Sequence, residues 1–185
     1  MNPFTPMQEV HSARYTTIAI FLHWLLAVLI FGMVGVGWYM MSIEDEPGSD
    51  WYFNIHKSVG ILVAVLAALR LIWRLRHKPH DLPKSVTPRQ AMMSRVTHWL
   101  LYLTMIVMPV IGITGALLSK NGIKFFGWDV PRVIAPDRDL AEIFFDAHSV
   151  VAWILVGLIA IHILAALKHF LIDKDDVFQR MWFIK

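Results

Sequence analysis

The chain has 185 residues, 57% hydrophobic and 17% charged, with a formal net charge of +3 and no cysteine. So apolar a composition excludes an ordinary soluble domain. The missing thiols exclude disulfides, thiolate metal sites, iron–sulfur clusters and covalent c-type haem, so any cofactor must be held by His, Met, carboxylate or packing.

The apolar residues come in long blocks. Residues 18–41 carry no charge, nor do 96–119 or 147–167. A fourth block, 52–73, is interrupted only near its ends by Lys57 and Arg70, whose stems can carry the charge to the headgroups. A bilayer core takes about 20 helical residues. The fold class expected is therefore an all-α membrane protein, a single domain over 1–185 built as a four-helix transmembrane bundle. Its helices are expected at roughly 15–41, 52–75, 93–118 and 143–171. The first block is too long for a signal-peptide core and no small-residue cleavage site follows it, so it is expected to remain as a membrane helix. Between helices 2 and 3, HKPHDLPKSVTPRQ (77–90) reads as a Pro-rich polar linker. VMPVIG around Pro109 predicts a kink in helix 3. The 3–4 connection holds FFGWDVP, suited to an interfacial hairpin or a short surface helix.

The basic residues set an orientation. Arg70, Arg74, Arg76, Lys78, Lys84, Arg89 and Arg95 cluster around the 2–3 connection, and Lys168, Lys174, Arg180 and Lys185 in the tail. The 1–2 connection, SIEDEPGSD, has neither Lys nor Arg. In the 3–4 connection Lys120, Lys124, Arg132 and Arg138 are diluted by Asp129, Asp137, Asp139, Glu142 and Asp146. Both termini are thus expected in the cytoplasm, with the protein in the bacterial inner membrane. No basic–aromatic pattern points to nucleic acid.

Nine histidines are present. His11, His77 and His80 fall in polar segments and read as solvated surface. The other six, His23, His56, His98, His148, His162 and His169, lie in or at the ends of apolar helices, where an ionisable residue is costly and points to function. Against this stands the plainer reading of a neutral imidazole bridging two helices by a hydrogen bond. Fourteen residues separate His148 from His162, which is about 21 Å along a helix and within about 40° of the same face. Helix 4 therefore carries one imidazole near each membrane surface. By depth, His23 on helix 1 matches His162, and His56 on helix 2 matches His148. Two imidazoles facing across a bundle core suit bis-histidine ligation of a b-type haem, so the spacing predicts two haems b. A haem edge needs a small side chain one turn from its ligand. Ala27, Gly60, Ala152 and Ala166 stand four residues after these four histidines, whereas Tyr102 and Asp173 follow His98 and His169.

Arg70 lies fourteen residues after His56, hence on nearly the same face at the inner end. It reads either as a partner of the inner haem's propionates or as a snorkelling basic residue; Lys57 is a weaker outer counterpart. His98 and His169 lie at the cytoplasmic helix ends, shallower than the inner pair, and are candidates for binding and protonating a quinone headgroup. Contacts with lipid headgroups or backbone are the alternative. Met33, Met40, Met41, Met105 and Met108 form no depth-matched pair with an unpaired histidine and read as packing.

At these residues the chain resembles the bacterial cytochrome b-561 family, small four-helix di-haem membrane cytochromes. The resemblance spans essentially the whole chain. It rests on HW at 23–24, HKSVGILVAVLAALRLIWR at 56–74, HWLLYLTMIVMPVIG at 98–112, the pair His148 and His162, and the tail KHFLIDKDDVFQRM at 168–181. It implies His23 and His162 as ligands of the cytoplasmic-side haem, and His56 and His148 as ligands of the periplasmic-side haem. One branch of the family oxidises superoxide at the periplasmic face and passes electrons to ubiquinone, and a histidine matching His169 is placed at the quinone there. Other members are known only as electron-transfer cytochromes. This chain departs from the superoxide-oxidising pattern in its outer connections. Glu44, Asp45, Glu46 and Asp50 face the side where an anionic substrate favours positive charge.

Three functions remain open on these grounds. One is an oxidoreductase taking electrons from a periplasmic donor, superoxide included, to the quinone pool. A second is an electron-transfer subunit serving a periplasmic or membrane protein, with no small substrate of its own. The third, a histidine-lined metal or proton transporter, fits poorly because the helices carry no intramembrane acid. No side chain is assigned a catalytic role. The lipid bilayer is the one partner common to all three.

Overall fold

The computed structural model describes residues 14–77, 82–83 and 85–183. His11, His80, Lys78, Lys84 and Lys185 lie outside them. Four long helices make up the molecule: α1 (Thr17–Ser42), α2 (Ser49–Arg76), α3 (Pro88–Leu118) and α4 (Arg138–Lys168). All four are long and apolar enough to cross a membrane. The shortest has 26 residues, or about 39 Å at 1.5 Å per residue, so even its ends reach past the hydrocarbon.

Helices α3 and α4 start where local hydrogen bonding starts them, ahead of where hydropathy begins. Thr87 and Gln90 form a reciprocal capping box with Pro88 in the first turn, so α3 begins about two turns before its uncharged stretch. The Asp137 carboxylate accepts the Leu140 N–H at 3.0 Å and starts α4 at Arg138 rather than near 143. At its other end α4 changes to a single π-turn, His169–Asp173, closed by Lys174 at φ 51°. Through Pro109, α3 continues as one helix.

In the bundle α1 packs on α2, α2 on α3 and α3 on α4, the order expected for consecutive antiparallel helices with short connections. Leu26, Ile30, Val63, Ala67 and Leu155 form the buried centre, with Met33, Met105, Met108 and Ile159 against it. The outward faces, including Val28, Phe31, Trp99, Trp153 and Leu164, are exposed, as side chains that meet lipid must be. We call the end bearing the 1–2 and 3–4 connections outer, and the end bearing the 2–3 connection and the tail inner.

The 3–4 connection is a hairpin, β1 (Lys124–Phe125) with β2 (Trp128–Asp129). Its two turn residues, Phe126 and Gly127, both have positive φ, 48° and 92°, as a two-residue turn of this hand requires. The hairpin is fastened to α2. The fully buried Ser58 hydroxyl accepts the Phe126 N–H at 2.9 Å and lies 2.7 Å from the Asn54 carbonyl oxygen. Beside it the Lys57 ammonium donates to the Gly122 carbonyl at 3.0 Å.

Candidate functional site

The structure brings the helix histidines together at two levels. At the outer end His56 on α2 and His148 on α4 have ring centroids 6.2 Å apart. At the inner end His23 on α1 and His162 on α4 stand 6.0 Å apart. The buried apolar centre at Leu26, Val63 and Leu155 separates the two levels.

Both separations match that of two imidazoles sharing one metal. Two metal–imidazole bonds of about 2 Å, plus the distance from each nitrogen to its ring centre, put the centroids about 6 Å apart. The outer rings are also prepared as ligands. His148 Nδ1 lies 3.2 Å from the Met108 carbonyl oxygen; an N–H donated there leaves Nε2 as the free lone pair. His56 leaves Nδ1 buried without a protein partner, so this imidazole is uncommitted to the protein's own hydrogen bonds. Glycines on two other faces let backbone approach these rings. A Cβ on Gly37 would lie 3.3 Å from His56 Cε1, and one on Gly112 would lie 2.9 Å from both Nδ1 and Cε1 of His148.

The charge of the surroundings selects among metals. None of the four blocks at 18–41, 52–73, 96–119 and 147–167 contains an Asp or Glu. A bare cation held by neutral imidazoles in this apolar interior would be uncompensated. A porphyrin brings its own negative charge to the iron, so the residues present fit a haem better than a free ion.

His98 is placed differently from its sequence depth. Its ring lies 5.4 Å from that of His162, so it joins the inner level instead of standing apart with His169. The reason is that α3 begins at Pro88, and Ser94 one turn before His98 holds the ring inward: Nδ1 lies 2.7 Å from the Ser94 carbonyl oxygen. His169 lies in the π-turn, with Nδ1 2.8 Å from Asp175 Oδ2 and 3.4 Å from Asp173 Oδ2. A metal among these three is disfavoured, because the Lys168 ammonium already sits 2.5 Å from that Asp173 oxygen.

Arg70 lies at the inner end, with Nη1 donating to the Ala19 carbonyl at 3.3 Å and Cζ 6.0 Å from the Tyr102 ring centre. At the outer end Lys57 is occupied by the Gly122 carbonyl, and Lys124 pairs with Asp129 at 3.5 Å. Glu44, Asp45, Glu46 and Asp50 are exposed. The tail closes the inner end: Trp24 Nε1 donates to the Met181 carbonyl at 2.8 Å, and the Trp24 ring meets both His23 and Trp182.

Sequence reasoning missed Asp175, Gly37, Gly112 and the Trp24 clasp. Gly and Trp are too common in membrane helices to stand out. Asp175 belongs to a polar tail, and only the π-turn carries it back to His169.

Fold and site together define a four-helix membrane protein with imidazole pairs near its two ends. The chain belongs to the prokaryotic cytochrome b561 family, whose model matches residues 14–183. It is thus a multi-pass bacterial membrane protein that binds haem b and transfers electrons across the membrane. It is 36% identical to "Cytochrome b561 homolog 2" of Escherichia coli (strain K12) over 175 residues, covering 91% of this chain and 90% of that one. It is 31% identical to "Probable superoxide oxidase CybB" of Yersinia pestis over 173 residues, covering 91% and 95%. "Cytochrome b561 homolog 1" of E. coli is also 31% identical, with 91% and 96% covered.

Proposed function

We propose that the protein holds two haems b, the outer between His56 and His148 and the inner between His23 and His162, and passes electrons between a one-electron donor at the outer face and a quinone at the inner face. The observation that carries this is the pair of matching ring separations, 6.2 and 6.0 Å, fourteen residues apart on α4. Bound haem supplies reversible one-electron chemistry, and two at opposite ends of one helix provide an electron path across the bilayer. The chain's own residues do the rest. Met108 orients the outer ligand through its carbonyl. Arg70 provides a guanidinium for the inner propionates. The apolar centre keeps water from the space between the levels. His98 stays a neighbour of the inner site, since it is followed one turn on by Tyr102, where His23 is followed by Ala27. The basic 2–3 connection and tail make the inner face cytoplasmic, with both termini on that side of the inner membrane.

The quinone, ubiquinone by family resemblance, is assigned to the inner face at His169, with His98 as the second candidate imidazole. Asp175 accepts the Nδ1 proton of His169 and so fixes its tautomer, leaving Nε2 to exchange a proton with a quinone oxygen. Replacing Asp175 with Asn should slow quinone turnover by about tenfold or more, the usual effect of removing a ligand's supporting partner. Both haem spectra should stay unchanged. Stopped-flow measurement of haem oxidation by added quinone reads this directly, and an unchanged rate removes Asp175 from the role.

Two donors fit the outer face. Superoxide is suggested by the name of the Yersinia pestis relative. A redox protein with a basic surface is favoured by the exposed acids of the 1–2 connection and by the engagement of Lys57 and Lys124. A superoxide pulse onto the oxidised protein separates them. Haem reduction far faster than spontaneous dismutation assigns superoxide as the donor, and reduction no faster than that background excludes it.

A further inference from the structure

At the inner end, the start of α1, the end of α2 and the tail enclose a cleft of about 480 Å³, mouth included. Arg14, Arg70, Arg74 and His77 line it, with Trp73 and Tyr102, and none of its lining residues is acidic. Two guanidiniums converge on one ring: Cζ of Arg70 is 6.0 Å and Cζ of Arg74 is 5.9 Å from the centre of Tyr102. Neither Arg70 nor Arg74 has a carboxylate within ion-pair reach among the described residues. The N-terminal end of α1, capped at Thr16, adds the positive pole of a helix to the same wall. Just behind it Arg180 is 7% exposed, and its buried Nε has no acceptor. Its carbonyl accepts the Tyr15 N–H, and the next residue, Met181, lines the cleft.

Basic residues that serve only to orient a membrane protein spread into solvent, where water screens them. Here the guanidiniums of Arg70 and Arg74 converge in one partly enclosed place with no carboxylate beside either among the described residues, an arrangement that costs Coulomb energy unless an anion fills it. Arg70 faces the inner histidines and is spoken for by the haem reading. Arg74 is one turn nearer the helix end, and no hydrogen bond engages its guanidinium among the described residues. The cleft lies where α1 and α2 end, and its Trp and Tyr rings are the side chains that favour the headgroup zone.

We propose that this cleft is a binding site for the phosphate of an anionic phospholipid, with Arg74 as its principal contact. The forked guanidinium matches a phosphodiester, and the aromatic walls meet the start of the acyl chains. The site borders the proposed inner haem site at Arg70 and would tie the ends of α1, α2 and the tail together through one lipid.

The test uses the full, haem-loaded chain, delipidated in neutral detergent. Phosphatidylglycerol, phosphatidylcholine and inorganic phosphate are added in turn, and bound species are counted by native mass spectrometry. Phosphatidylglycerol should be retained over phosphatidylcholine, and Arg74→Gln should weaken that retention about tenfold, the worth of one charge-assisted bond. Arg74→Lys should keep part of it, and Arg95→Gln, outside the cleft, all of it. Haem content measured on each variant shows that it is folded. Equal retention of the two lipids, or no effect of Arg74→Gln with haem intact, overturns the proposal. So does displacement of the lipid by equimolar inorganic phosphate, which makes the cleft a soluble-anion site. Binding of phosphatidylglycerol only to haem-free protein overturns it too, since the haem carboxylates then fill the cleft.

Discussion

If the protein holds two haems as proposed, replacing His148 with alanine should leave a folded protein with one. His148 faces His56 alone, at 6.2 Å, while the inner rings of His23, His98 and His162 keep their own contacts near the other end of α4. With one of the two proposed axial ligands gone, His56 alone would hold a haem weakly. The haem-to-protein ratio should fall to about half, because bis-histidine ligation needs both rings. His56→Ala should give the same half-loaded protein, and His162→Ala the complementary one. Pyridine haemochrome assay gives the stoichiometry, and redox titration shows which of two waves has gone. Loss of both haems from His148→Ala, with the protein still folded, would contradict two independent sites. A wild-type ratio of one would remove the outer or the inner assignment outright. Electron transfer across the membrane should cease in every one of these variants, since each breaks the path at one level.

Gly112→Ala should damage the outer site almost as much without touching a ligand. Its new Cβ would lie 2.9 Å from His148 Nδ1 and Cε1, closer than real side chains come. Alanine in place of glycine inside a helix is worth about 0.5–1 kcal/mol in its favour. Overpacking a filled interior costs about 1–3 kcal/mol, so the clash decides. The imidazole cannot step aside freely, because Nδ1 is held near the Met108 carbonyl one turn before Gly112. The expected result is selective loss, or a shifted potential, of the outer haem with the inner haem unchanged. Gly157→Ala provides the contrast: nothing lies within 4 Å of its added Cβ, so this change should be neutral or slightly stabilising. Thermal unfolding in detergent, with the redox titration of each haem, distinguishes the two cases. Equal behaviour of the two alanine variants would mean that backbone approach at Gly112 does not shape the outer site.

The bundle was legible because crossing a bilayer is a one-dimensional problem. Length and hydropathy alone decide whether a segment spans, and four uncharged or nearly uncharged blocks became four helices. Their ends were less legible, since caps made by Thr87 with Gln90 and by Asp137 extend α3 and α4 into polar sequence that hydropathy counts as connection. Depth along a helix is fixed by residue number, so the pairing of levels, His23 with His162 and His56 with His148, could be read from spacing. Depth says nothing about rotation or tilt. That is why His98 was expected apart from the inner pair, yet its ring reaches His162.

The amino-acid sequence by itself determined that this protein lives in a membrane, that its histidines stand at two levels, and that no acid or thiol accompanies them there. These follow from composition and from the constant rise of a helix. Only the tertiary structure decided which backbone presses on the two outer imidazoles, that Asp175 returns through a π-turn to His169, that Ser58 and Lys57 fasten the hairpin, and that Arg70 and Arg74 converge on Tyr102 with no carboxylate beside either among the described residues. Each of these depends on side chains from segments far apart in the chain. Their meeting is set by how the helices rotate and pack, which no local pattern records.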